Sequence, residues 1–509
     1  MDRLLLTNGL LIDGSGAPPY AGHLLIEDGR IAEIGPFEPP SCLPTLDCTG
    51  LAISPGFIDA HSHSDLQVLE NRPEKLLQGV TTEVVGNCGF SAYPAPSDRR
   101  PLYEFANGLL CGDDRWGWPD ASSYLKAVTG RTKLAHVVSL LGHGTLRVAH
   151  AGHQLGPLPA RTLDAMEQCL AQALSDGARG FSTGLMYAPG SSAPSEELER
   201  LYRVVSRSGA VCTTHMRDYG FKLVEAVDEQ IGLARRTGCR LQISHLQAVG
   251  PANWERQAPA LEKIERARRE GVDIAFDCYP YVAGSTVLTQ WLPQWALEGG
   301  ISGLMARLSH TLERSRIAEE TIAGMAHRWT DLVISSVGSE ANAAFVGKTV
   351  QEAADSRGRE PIEFAFDLLT EERGAVNILE FNQSEDNLRQ TVTHPLSNLI
   401  SDGFYVKGRP HPRLHGAFAE LLGKYCREKR WLSLEDAVHK ITGLPASRFH
   451  IAGRGLLRPG FHADVAVFDP ARIASPANYQ EPQLPPIGIH CVILAGSIVH
   501  GGPILNGPV

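Results

Sequence analysis

The chain has 509 residues, 43% of them hydrophobic and 20% charged, and a formal net charge of −10. This is the make-up of a soluble globular protein with room for one large α/β barrel plus a smaller domain, or for three ordinary domains. The acidic balance argues against a nucleic-acid partner, and no apolar run reaches the ~20 residues that a membrane helix needs.

The first fifty residues read as short strands, Leu4–Leu6, His23–Ile26, Arg30–Ile34 and Leu51–Ile53, with Asn8-Gly9 and Asp28-Gly29 as hairpin turn signals. The leading apolar run is too short for a signal peptide, and the ten cysteines show no paired framework, so a reducing cytoplasm is the expected location. From Ile53 onward, apolar strand-like runs alternate with helical stretches, the pattern of parallel βα units. Eight runs stand out: Ile53–Ala60, Thr81–Gly86, Leu134–Leu141, Ala178–Ser182, Ala210–Thr214, Arg240–Ser244, Val272–Phe276 and Ser397–Ser401. Eight is the number a (β/α)8 barrel needs. The gap before the last run is too long for one crossover helix. Within it, residues 287–345 carry helices of their own (Leu304–Thr311, Arg314–Glu320) and a strand (Leu332–Ser336). This stretch reads as a lid subdomain inserted over the barrel mouth, with a passive surface excursion as the alternative. Strand-like runs return at Ala463–Asp469 and Cys491–Gly496. The expected organisation is a composite β-sandwich from residues 1–52 and 453–509 around a barrel spanning 53–452.

In such a barrel, chemistry sits where the strands end, at the C-terminal face. The first run ends in Asp59-Ala60-His61-Ser62-His63, whose two imidazoles share a face because side chains alternate along a strand. The second ends in Gly86-Asn87-Cys88-Gly89, the fifth in Thr214-His215-Met216-Arg217, the sixth in Ser244-His245-Leu246-Gln247 and the eighth in Ser401-Asp402-Gly403. Five of eight strands thus end in residue types that ligate metal. Singly, Cys88 would be a small buried hydrophobe and Asp402 a turn residue. Their shared position at strand tips favours a thiolate ligand and a catalytic acid. His143 ends the third strand, where lining the pocket and plain burial are both open.

Together with Leu77-Gln78-Gly79-Val80-Thr81-Thr82, Gly180–Leu185, Asp277-Cys278-Tyr279-Pro280-Tyr281 and His411-Pro412-Arg413, these segments resemble the N-acyl-D-amino-acid deacylases (D-aminoacylases) of the amidohydrolase superfamily, over nearly the whole chain. The resemblance implies one tightly held Zn2+ on Cys88, His215 and His245. It implies a weaker second metal position at His61, His63 and Asp402, with Cys88 bridging. It further implies Asp402 as the acid/base, and Tyr279, Ser285 and Arg413 as the residues that hold the substrate. Arg413 would pair with the α-carboxylate, aided by the Tyr279 hydroxyl. One departure bears on specificity. Many members carry Lys two residues after the sixth-strand histidine, and this chain has Gln247, which offers only neutral hydrogen bonds. With Arg217 the one further cation near the site, apolar or uncharged D side chains are expected to be preferred over acidic ones. The fourth strand, Ala178–Gly184, lacks the lysine that dihydroorotases and hydantoinases carboxylate to bridge two metals.

The implied activity is zinc-dependent hydrolysis of a small-molecule N-acyl-D-amino acid to a carboxylate and a free D-amino acid. A second reading keeps the chemistry and changes the amide to an N-acyl-dipeptide or a cyclic amide. A third is a zinc-bound barrel without catalysis. Asp402 speaks against it, because a structural zinc is usually closed by four protein ligands and needs no acid beside it.

Overall fold

The computed structural model describes residues 3–40, 43–110 and 116–501. The chain opens with five strands, β1 (Arg3–Leu11), β2 (Tyr20–Glu27), β3 (Arg30–Gly35), β4 (Thr45–Asp47) and β5 (Ala52–Pro55). Asp28 and Gly29 both have positive φ and turn β2 into β3, as a two-residue hairpin requires. Asn8-Gly9 is not a turn. Asn8 lies inside β1 at φ 57°, where the register to β2 shifts between Leu6 and Gly9. An asparagine tolerates the left-handed backbone of such a bulge, which is why the same dipeptide serves both purposes.

The run expected as one strand from Ile53 to Ala60 is two. β5 pairs with β1, and after Gly56 the chain enters β6 (Phe57–Asp59), which pairs instead with β7 (Val80–Val85). Gly56 is pressed against Thr81, whose Oγ1 lies 2.2 Å from where a Cβ would stand, so no larger residue fits at this crossing. The barrel continues through β8 (His136–Gly142), β9 (Gly180–Gly184), β10 (Val211–His215), β11 (Arg240–Ile243) and β12 (Ile274–Cys278). Helices such as Ala160–Ser175, Ser195–Ser208, Leu223–Thr237 and Gln257–Arg269 separate successive strands. Each turns an apolar stripe inward, as with Leu163, Met166, Leu170 and Ala173 on the first of them.

After β12 the chain leaves the barrel. β13 (Ala283–Val287), β14 (Leu332–Val337) and β15 (Val376–Phe381) form a separate antiparallel sheet in the order β13-β15-β14. The inserted body is therefore longer at its C-terminal side than residues 287–345, and it draws in the strand before them. It has its own core, in which Leu304, Ile317, Leu332, Ile334 and Phe364 are fully buried. Burial of each of these side chains contributes roughly 1.5–3 kcal/mol to holding the insert's elements together. The barrel resumes with β16 (Ser397–Leu399), giving eight parallel strands in the order β16-β12-β11-β10-β9-β8-β7-β6.

No ladder joins β16 to β6. The seam is closed just beyond the strands, by a parallel bridge between Ser62 and Gly403 and by amide bonds from Asp402 to the His61 carbonyl (3.0 Å) and from His63 to the Gly403 carbonyl (3.1 Å). Finally β17 (Val465–Phe468), β18 (Ile489–Leu494) and β19 (Ser497–Gly501) return to the first sheet, with Val467 opposite Ile53. Both ends of the chain thus build one eight-stranded sheet around a shared core of Leu4, Leu24, Ile53, Val465 and Ile493. No helix among the described residues is long and apolar enough to cross a membrane.

Candidate metal and active site

The polar residues at the C-terminal ends of β6, β7, β10, β11 and β16 converge. Ligand atoms of His61, Cys88, His245 and Asp402 all lie within 4.8 Å of one another, and all four residues are buried. His61 Nε2 is 3.2 Å from Cys88 Sγ, and Cys88 Sγ is 3.5 Å from His245 Nε2. His215 adjoins through Nδ1, 3.1 Å from His245 Nε2. His63 Nε2 and His61 Nε2 stand 3.2 and 3.3 Å from Asp402 Oδ1. The four-residue group cuts across the two ligand sets that the family resemblance implies, because Cys88 stands between them.

Three of these residues carry backbone strain. Cys88, His245 and Asp402 have φ of 52°, 34° and 49°, a region that costs a non-glycine residue about 1–3 kcal/mol. Each is held there by its neighbours. Ser182 of β9 accepts the Gly89 amide at 3.0 Å and bonds the Gly86 carbonyl, pinning the loop around Cys88. Gly184, the last residue of β9, leaves room for the Cys88 carbonyl, which would otherwise collide with a Cβ at 1.9 Å. Asp277 Oδ1 takes the His245 amide at 2.6 Å. Behind Asp402, Asp59 accepts the Ser401 amide at 3.0 Å, Ser401 Oγ accepts the Gly403 amide at 2.9 Å, and buried Lys75 bonds both Asp59 and Ser401.

The electrostatics call for a cation. Burial disfavours a proton on His61, but Cys88, Asp402 and Asp277 outweigh it and lift its pKa well above the ordinary value. Burial, with His245 beside it, pushes His215 well below that value, and burial takes His245 down to about 4. A divalent ion at this point would face the Cys88, His61, His245 and Asp402 ligand atoms together. A thiol and four imidazoles with one carboxylate match the ligand preferences of zinc. Asp402 itself is pushed up by burial, yet Arg413, His61 and His63 hold it well below the usual carboxylate range.

Arg413 Nη1 pairs with Asp402 Oδ2 at 3.0 Å, its guanidinium lies 4.6 Å from the Tyr279 ring centroid, and its Nε has no partner. Tyr279 donates its hydroxyl to Gln247 Oε1 at 2.8 Å. Ser285 comes from β13 of the insert and offers its carbonyl to Arg413 at 3.4 Å. These four residues line one cavity with His63, Cys88, His215, His245 and Asp402. His143 does not. It is buried against Glu197 (2.8 Å), which Arg147 also pairs, and this network lies behind the β8 tip. Arg217 is likewise turned away, committed to Glu229 and to the Ser191 and Ala193 carbonyls.

Two further residues carry no signal in the sequence strong enough to single them out. Glu380 of β15 lines the cavity from the insert. Asp277 is recognisable only as part of a longer motif, yet it touches both His245 and His61, whose Nδ1 is 3.5 Å away. Asp277→Asn should therefore weaken zinc binding by ~10–100-fold, the usual cost of losing a partner that orients ligands. Competition with a chelator measures it, and unchanged affinity would remove Asp277 from the site.

Residues 45–500 match the amidohydrolase family. The N-acyl-D-glutamate deacylase of Alcaligenes xylosoxydans xylosoxydans is 36% identical over 499 residues, covering 97% of this chain and 93% of that one. A crystal structure of N-acyl-D-glutamate deacylase from Bordetella bronchiseptica, complexed with zinc and a phosphonate mimic of the tetrahedral intermediate, superposes with a TM-score of 0.84 at 35% identity, covering 99% and 98% of the two chains. A D-aminoacylase structure described for its binuclear metal centre gives 0.83 at 31% identity, with the same coverage. The chain belongs to the amidohydrolase family, in its D-aminoacylase branch.

Proposed function

We propose that this protein hydrolyses the amide of N-acyl-D-amino acids, with zinc held by the strand-tip cluster. One observation carries the reading: an ionised carboxylate, Asp402, stands between two imidazoles of the ligand cluster and the Arg413 guanidinium at the floor of a buried cavity. Cys88, His215 and His245 are the ligands of the tight zinc, and His61, His63 and Asp402 offer a weaker second position beside Cys88. Bound zinc supplies a Lewis acid and a water acidified toward neutrality.

The remaining work falls to the chain's own residues. Asp402, unprotonated at neutral pH, takes the attacking water's proton and returns it to the leaving nitrogen, which could not depart as an anion. Arg413, with a free Nε donor, holds the α-carboxylate, and Tyr279 adds its hydroxyl. Carboxylate, scissile carbonyl and side chain then fix three points around the Cα, which is what separates D from L. Kinetics on matched N-acetyl-D- and N-acetyl-L-amino acids test this. The D series should be cleaved with kcat/KM ~100-fold or more above the L series, within reach of a pocket that must misplace one of three groups. Equal rates on both, or cleavage of neither, would refute the reading.

A further inference from the structure

Glu380 has no part in that mechanism. It projects from β15 opposite Gly284 of β13 and is buried. Its oxygens accept only from neutral donors, Trp291 Nε1 at 2.6 Å and Asn382 Nδ2 at 3.3 Å. The nearest guanidinium of the cavity, Arg413, is engaged with Asp402. Among the described residues no lysine or arginine forms an ion pair with Glu380. Burial raises its pKa to about 7, against the opposing pull of Trp291, Asn382 and the more distant Arg413.

A Cβ on Gly284 would stand 3.2 Å from both the Tyr279 hydroxyl and Asn382 Nδ2 and 3.9 Å from Glu380 Oε2, so the absence of a side chain at Gly284 lets Tyr279 and Glu380 share one wall of the metal cavity. Glu380 also borders the outer cleft of about 570 Å³ that adjoins the metal cavity through His215, Gln247 and Gln290. Asp218 on the cleft wall accepts only the backbone amides of Gly220 and Lys222, while the cleft's Arg217 is tied to Glu229. A side chain lodged against Glu380 therefore faces a carboxyl without an ion-pair partner among the described residues, while Lys222 lines the outer cleft beside Asp218.

We propose that Glu380 selects the substrate's side chain, and that the preferred N-acyl-D-amino acids end in a cation, an ammonium or a guanidinium. The inference rests on the deacylase reading and names the substrate class of the same site. A cation arriving beside Glu380 satisfies a carboxylate already withdrawn from water, whereas an acidic side chain meets a like charge. Gln247 adds no positive charge to offset that repulsion.

The test compares the zinc-loaded protein on N-acetyl-D-arginine and N-acetyl-D-citrulline, which share shape and differ in charge, with N-acetyl-D-glutamate as the anionic control. The arginine compound should show kcat/KM at least ~10-fold above citrulline, and the glutamate compound should be the poorest, in line with the coupling of close charge pairs. Glu380→Gln keeps an acceptor for Trp291 and should bring the arginine-to-citrulline ratio to about one, since it removes the charge alone. A wild-type ratio of one or below, or a ratio that survives Glu380→Gln, overturns the proposal. Failure to turn over any N-acyl-D-amino acid would strike the deacylase reading instead. Calorimetric titration of free D-arginine and D-citrulline onto the zinc protein then decides the selector. Tighter D-arginine binding upholds it, and equal affinity overturns it.

Discussion

Cys88→Ala is expected to strip the protein of its zinc and its activity together. The thiol is buried, and burial raises its pKa, so without a cation the reactive thiolate is disfavoured. Its Sγ nevertheless sits within 3.5 Å of nitrogens on both His61 and His245, which places it at the centre of the cluster rather than at its edge. Alanine keeps the Cβ and meets the same left-handed backbone at φ 52°, so the strain there is unchanged and the loss is confined to the ligand. Zinc affinity should fall by more than the ~100-fold that the loss of an outer partner brings, and turnover should fall with it. Elemental analysis and kcat/KM on the same preparation check both. A variant that retains one zinc per chain would take the thiolate out of the ligand set.

Asp402→Asn should separate metal from chemistry. Asparagine has the same size and keeps an acceptor for Arg413, but it cannot take a proton. The tight zinc, held by Cys88, His215 and His245, should remain. The expected fall in kcat is ~100-fold or more, the range for a lost general base. Near-normal turnover would move the role elsewhere. Loss of zinc in parallel would make Asp402 a principal ligand, an outcome that its distance of 3.3 Å from His61 Nε2 keeps within view.

The strand-tip residues were legible because parallel barrels fix where side chains end up. A histidine, cysteine or aspartate just past a strand's last residue has few directions to face, so five tips with ligand chemistry point to one centre. His143 shows the limit of that logic. It too follows a strand, but it begins a helix, and Glu197 with Arg147 offers its ring a buried partner on the far side. Residue 56 shows another limit: Pro55-Gly56 marks the point at which the chain changes sheets, a breaker that a single strand across Ile53–Ala60 passes over. Glu380 and the insert's strands β13 and β15 were hidden for a third reason. Val376–Phe381 is separated from its partner Ala283–Val287 by the whole of the insert, and such pairing leaves no local pattern.

The barrel's last seam has a consequence for any attempt to make this protein sturdier. Its closing bonds run through the main chain of His61, His63 and Asp402, with Lys75, Asp59 and Ser401 bracing them from behind. The join that no strand ladder spans and the reactive centre thus share the same residues. A change that shifts the main chain there also shifts the side chains that must be in place for turnover. Robustness is better sought elsewhere, in the helical ring or the insert's own core, because at the seam the residues that close the barrel by their main chain are those whose side chains form the reactive centre.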